Sequence, residues 1–141
     1  MADKKSILEY LRKKDFCVLA TATKYGKPEA AVMVFVIDAN FSFFLYTETE
    51  TRKYKNIMQN DLVSLVVGGF ENDPTVQIDG IIYEVTPEET KSVVDFVNSL
   101  HPEWNKNFVS PSGKWLALKP DWLRYSDFSQ SVPEIVEIGD F

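Results

Sequence analysis

From Ala30 to Ile37 the chain reads AAVMVFVI, eight residues without a polar side chain. Read as a strand, Ala30, Val32, Val34 and Val36 point to one side, and Ala31, Met33, Phe35 and Ile37 to the other. A strand in an antiparallel sheet commonly buries one face and wets the other. With both faces apolar this one needs two partners, the second being a helix, another subunit or a flat apolar ligand. Any fold open to this chain has to cover the segment twice.

The surrounding pattern supplies an antiparallel setting. Phe16 to Thr23 is a strand, Lys24-Tyr25-Gly26-Lys27 a turn with glycine at the permissive position, and Pro28 starts the apolar strand through Ile37. Asp38-Ala39-Asn40 turns into a third strand, Phe41 to Thr47, with Phe41, Phe43, Leu45 and Thr47 on one face and Ser42, Phe44 and Tyr46 on the other. Leu62 to Phe70 is a fourth strand, in which Gly68-Gly69 marks a bulge or close approach. After a turn at Glu71-Asn72-Asp73-Pro74, Thr75 to Val85 is a fifth, kinked at Asp79-Gly80. Five strands joined mostly by hairpins fit a small antiparallel barrel.

Helices flank these strands. Asp3 or Ser6 can cap a first helix through about Lys13, whose Ile7, Leu8 and Leu11 form a narrow stripe expected to lie across the outside of the barrel. Thr86-Pro87-Glu88-Glu89 reads as a capping box with proline at the first helical position. The helix it starts is expected to bury Val93, Val97 and Leu100 and to stop at His101-Pro102. Asn105 to Gly113 is a polar loop; Lys114 to Lys119 and Trp122 to Asp127 read as strands on either side of a Pro-Asp turn. The tail from Ser129 alternates weakly at Ile135, Val136 and Ile138, as an arm across a neighbour or a frayed end.

Chemistry concentrates where the third strand ends. Thr47, Thr49 and Thr51 lead into a short helix that Thr51 can cap, with Arg52 and Lys53 as its first residues and Tyr54, Ile57 and Met58 on one side. Free backbone N–H groups, threonine hydroxyls and an Arg-Lys pair suit a phosphate monoester. Read alone, Arg52, Lys53 and Lys55 are better taken as a solvated face, because short basic helices are common. A net charge of −6 makes these cations local and disfavours a nucleic-acid binder. One cysteine, Cys17, excludes an intrachain disulfide, and one histidine, His101, leaves no metal-binding set. His101, just before a proline at a helix end, reads as capping or solvated rather than catalytic. No apolar run is long enough to span a bilayer, and MADKKSILEYLRKKD lacks a signal-peptide core, so a cytoplasmic protein is expected.

Tyr46-Thr47, three residues, Thr51-Arg52-Lys53, then Asn60 and Val63-Ser64-Leu65 together resemble the FMN-binding split-barrel flavoproteins related to pyridoxamine 5′-phosphate oxidase. In that family Ser-Arg-Lys follows a strand ending Tyr-Thr at this spacing and holds the FMN phosphate; Thr51 stands here for the serine. The resemblance implies a mainly β, α+β fold, an antiparallel and Greek-key-like split β-barrel with flanking helices, as a single domain over residues 1–141. It implies FMN at the interface of a homodimer, with the isoalloxazine ring along Ala30, Ala31, Val32, Met33, Val34 and Phe35. Tyr46, Thr47, Thr51, Arg52 and Lys53 would line the phosphate end. Gln77 shares a side of its strand with Thr75 and is a candidate for the flavin edge, although the family's glutamine falls at Thr75.

The departures limit the activity. In the oxidase itself the apolar strand begins with arginine and ends with a lysine that helps hold the substrate phosphate; Ala30 and Phe35 stand there, and the carboxy-terminal Arg and His of the family have no counterpart after Leu116. Oxidation of pyridoxamine 5′-phosphate is therefore not expected. The expected function is an FMN-dependent oxidoreductase on an unidentified small molecule. The alternatives are a flavin or haem binder without turnover, and a barrel whose Phe41, Phe43, Phe44 and Tyr46 stack oligonucleotide bases.

Overall fold

A computed structural model describes residues 1–141. Seven strands run β1 (Phe16–Ala22), β2 (Pro28–Ile37), β3 (Phe43–Glu48), β4 (Leu62–Gly68), β5 (Thr75–Glu84), β6 (Gly113–Asp127) and β7 (Glu134–Ile138). They pair in the order β3-β2-β1-β4-β5-β6-β7, all antiparallel, and a further β3–β6 pairing closes the first six into a barrel. Helix α2 (Arg52–Gln59) carries the chain from β3 past the β1–β2 hairpin, so that β4 lies beside β1. This is the antiparallel, Greek-key-like split barrel that the sequence implies. Helices α1 (Lys4–Arg12) and α3 (Pro87–Leu100) complete the elements, and no helix is long and apolar enough to cross a membrane.

The inward row of β2 (Met33, Phe35, Ile37) joins Leu19, Phe43, Leu45 and Leu116 in the main core. The opposite row divides. Val36 is covered by Val93 and Val97 of α3 together with Trp115 in a second apolar cluster, whereas Val32 stays 69% exposed beside Phe16 at 62%. On that row Val36 thus has its partner within the chain, whereas Ala30 and Val32 are exposed and Val34 is half-buried.

Several local expectations change. Asp3 and Ser6 close a capping box on α1, and Ile7 and Leu11 are fully buried in the main core, so α1 is part of the core rather than laid across its outside. Burying such side chains is worth roughly 1.5–3 kcal/mol each. The third strand starts at Phe43, because Phe41 takes φ of 62° in a turn that the Asp38 carboxylate ties to the N–H groups of Asn40 and Ser42. At α3, Thr86 caps the Glu89 N–H, but the Glu89 carboxylate accepts from the Thr86 hydroxyl rather than from its backbone, so the box is not reciprocal. Leu100 is 45% exposed, one turn beyond the buried Val97.

Pro120-Asp121 does not turn the chain back. It bulges within one continuous β6, where Gly80 pairs with Pro120 and Asp79 with Trp122, leaving Asp121 unpaired. Gly80 permits this approach: a Cβ there would stand 2.3 Å from the Lys119 carbonyl oxygen. The tail is the seventh strand of the same sheet, β7 pairing with the second half of β6 from Leu123–Ile138 to Asp127–Glu134.

Candidate functional site

The site is built where β2 begins and α2 starts. Thr51 caps α2 in an extended conformation: its Oγ1 accepts from the Tyr54 N–H at 3.3 Å and donates to the Glu48 carbonyl at 2.9 Å. A hydroxyl has one hydrogen, so Thr47 Oγ1, 2.9 Å away, donates to Thr51 in turn. Thr47 is 4% exposed. Both hydroxyls are thereby committed to holding the helix start. The Tyr54 and Lys55 N–H groups are satisfied by Thr51, which leaves those of Arg52 and Lys53 to face a ligand or solvent.

Arg52 and Lys53 line a cavity of about 100 Å³ with Ala30, Ala31, Leu19, Thr21 and Glu29. Four of the sequence candidates therefore meet at one place. Glu29, which the sequence reading passed over, is central to it. Its side chain is 10% exposed; Oε2 lies 2.8 Å from Arg52 Nη1 and 3.6 Å from Lys27 Nζ. Oε1 accepts from Asn56 Nδ2 at 2.9 Å, and the same amide donates to Thr21 Oγ1 at 3.0 Å. The Asn56 hydrogen bond, joined by the charges of Arg52 and Lys27, holds the Glu29 carboxyl below the usual carboxylate value against the opposing effect of burial. Asn56 follows Arg52 by one helical turn, so both present to Glu29 from the same side of α2. The signal available in the sequence is a polar residue on an otherwise apolar strand; no local spacing links positions 29 and 52.

The other candidates divide between faces. Met33 and Phe35 are in the core at 7% and 2% exposure, and Val32 and Val34 are on the outer face. Tyr46 is turned away from Thr47: its ring packs on Phe108 and Trp115, each centroid 5.2 Å away, and its hydroxyl accepts from the Ser110 N–H at 2.9 Å. The structure does not bring its side chain to the cavity. Gln77 is exposed on the outer face of β5, in the row Val32–Val18–Val66–Gln77 set by the strand register. Three strand spacings, about 14 Å, separate it from Val32. His101 stacks on Trp104 at 3.7 Å and its Nδ1 lies 3.2 Å from Glu103, as expected of a helix-end residue.

A sequence model described as pyridoxamine 5′-phosphate oxidase matches residues 4–127. A pyridoxine/pyridoxamine 5′-phosphate oxidase of Ehrlichia ruminantium is 36% identical over 73 residues, covering 52% of this chain and 38% of that enzyme. The match thus spans about two fifths of the oxidase. A pyridoxamine 5′-phosphate oxidase-related, FMN-binding protein from Nostoc punctiforme superposes with a TM-score of 0.72 at 12% identity, over 100% of this chain and 98% of that one. The heme storage protein of Vibrio cholerae gives 0.72 at 18% identity, over 85% and 91%. At such identities the two structures establish the fold.

Proposed function

The chain belongs to the pyridoxamine 5′-phosphate oxidase family, and from that premise we propose that it is an FMN-binding flavoprotein whose flavin phosphate sits at the start of α2. The observation that carries this reading is the meeting of Arg52, Lys53 and their free N–H groups with Ala30 and Ala31 around one cavity. Arg52 and Lys53 supply charge-assisted donors to a phosphate, and the helix start adds its dipole. Thr47 and Thr51 fix that start in place, with Tyr46 anchoring the strand behind them.

The size of the cavity supports a ring bound outside it. About 100 Å³ is well below the roughly 300–1,000 Å³ of small-molecule pockets, so it suits a phosphate and not a tricyclic ring. The ring lies instead along Ala30 to Phe35, where Val32 and Val34 offer side chains and the inward Met33 and Phe35 only backbone. A second copy of the chain would cover this open face, shielding Val32 and Phe16 and bringing its Gln77 towards the flavin edge. The proposed unit is a homodimer of single-domain chains with two flavins between them. A lone, buried cysteine suits a reducing compartment, and the cytoplasm is the one proposed.

Bound flavin supplies hydride and electron transfer; the chain binds it, orients it and keeps water from one side. The reading is an oxidoreductase acting on a small molecule other than pyridoxamine 5′-phosphate. Phe35 is packed in the core where the oxidase has a lysine, so that position offers a substrate phosphate no cation. A haem ligand is disfavoured because the one imidazole is already stacked on Trp104 and close to Glu103. The test is the visible spectrum of purified chain after incubation with FMN and desalting. Flavin bands near one per chain are expected; a chain that retains no flavin, or that gives a Soret band with haemin in its place, would refute the proposal.

A further inference from the structure

Glu29 sets a carboxylate among the cations of the cavity, and its position is more constrained than theirs. The side chain is 10% exposed against 72% for Arg52, and its two oxygens are turned to Asn56, Arg52 and Lys27. A nearly buried carboxylate persists only when it is compensated, here by the Asn56 hydrogen bond and the positive charges of Arg52 and Lys27. Glu29 is thus the fixed member of the pair and Arg52 the tethered one. The tether engages Nη1 and leaves the Nε and Nη2 hydrogens free in a rigid fork. Asn56 adds a second point of attachment one turn along α2 and joins the helix to Thr21 of β1 as well.

We propose that Glu29 is a positioning residue of this site, holding the Arg52 guanidinium ready for a ligand phosphate and fixing the start of α2 against β2. The proposal rests on the FMN reading above. Its physical basis is preorganisation: an exposed arginine held in place loses less freedom when it meets phosphate than one sweeping through solvent. The carboxylate does not cancel the site, because Lys27, Arg52 and Lys53 against Glu29 leave a charge of +2, opposite to that of a phosphate dianion. A residue that merely fastened helix to strand would affect every ligand of the cavity alike. One that acts through Arg52 affects the phosphate alone.

The test is a double-mutant cycle read with two ligands, FMN and riboflavin, which differ by the phosphate. Glu29→Gln keeps the oxygen that accepts from Asn56 and removes the charge facing Arg52. In the full chain it is expected to reduce the preference for FMN over riboflavin by about three- to tenfold, and to leave that preference within about twofold when Arg52 is already alanine. A thermal melt of each variant confirms that folded protein is compared. Glu29→Asp, which keeps the charge but withdraws it by one methylene, provides a second route and is expected to lose preference in the same direction. An increased preference, or an equal loss with and without Arg52, would overturn the role of Glu29 while leaving FMN binding intact. A wild-type chain with no preference for FMN would overturn the phosphate site and this assignment together.

Discussion

Replacing Thr51 by alanine should cost more than a helix cap usually does, because its hydroxyl serves three partners. It accepts from the Tyr54 N–H, donates to the Glu48 carbonyl and receives the hydrogen of Thr47. Loss of the cap is worth about 1 kcal/mol. Thr47, 4% exposed, then has a buried hydroxyl with no acceptor, which adds about 1–3 kcal/mol. The sum is about 2–4 kcal/mol, or a fall in Tm of roughly 4–16 °C at about 2–4 °C per kcal/mol for a chain near this size. Thr51→Ser keeps the oxygen and should stay within about 1 kcal/mol of wild type. With Thr47 changed to valine, the alanine at 51 should cost only the cap, a coupling of about 1 kcal/mol or more by denaturant melts. A Thr51→Ala variant within about 0.5 kcal/mol of wild type, or an unchanged cost in the Thr47→Val background, would refute the shared-hydroxyl account.

Three further outcomes are expected. Gly68→Ala should destabilise by about 2–4 kcal/mol in the same melts, since φ there is +76° and a Cβ would fall 2.1 Å from the Tyr10 hydroxyl and 2.4 Å from the Pro74 oxygen, the partners of a 2.6 Å hydrogen bond; an unchanged melt would contradict it. Burial, with the charge of Asp73, pushes the Tyr10 phenol from 10.0 up to about 12, and Tyr54, Tyr83 and Tyr125 are raised as well. The folded state thus favours the neutral phenol: this stability is intact below pH 10 and is lost as pH rises through 10 to about 12, so Tm should start to fall near there and a flat profile would contradict it. Light scattering at micromolar concentration with FMN should give a dimer that Val32→Asp on the open face splits; a wild-type monomer would contradict the proposed assembly.

Much of the barrel is legible because its signals are local. The β1–β2 hairpin follows from a glycine turn between apolar runs, and the start of α3 from Thr86-Pro87. The start of α2 is legible in the same way, and with it Arg52 and Lys53. What is missed depends on contacts distant in sequence. Pro120-Asp121 has the composition of a turn, yet becomes a bulge because Gly80 on the neighbouring strand lets β6 run on past it. Phe41 continues the alternation of its strand by pattern, but the Asp38 carboxylate pulls the preceding turn tight and puts it at positive φ. Glu29 reads as the polar edge of an apolar strand until the fold sets it against Arg52, 23 positions on. Tyr46 belongs to the family motif, and the structure commits its side chain to the aromatic cluster beneath α3.

The most direct measurement is a pair of fluorescence titrations, FMN and riboflavin, on the wild-type chain and on the Arg52→Ala, Lys53→Ala variant. A charge-assisted contact is worth roughly 1.5–3 kcal/mol, and Arg52, 72% exposed, belongs at or below the lower end, so Arg52 and Lys53 together should give wild type a preference for FMN of about tenfold. The double variant should lose most of that preference and still bind riboflavin. Equal affinity of the wild-type chain for the two ligands would contradict a phosphate site at the start of α2.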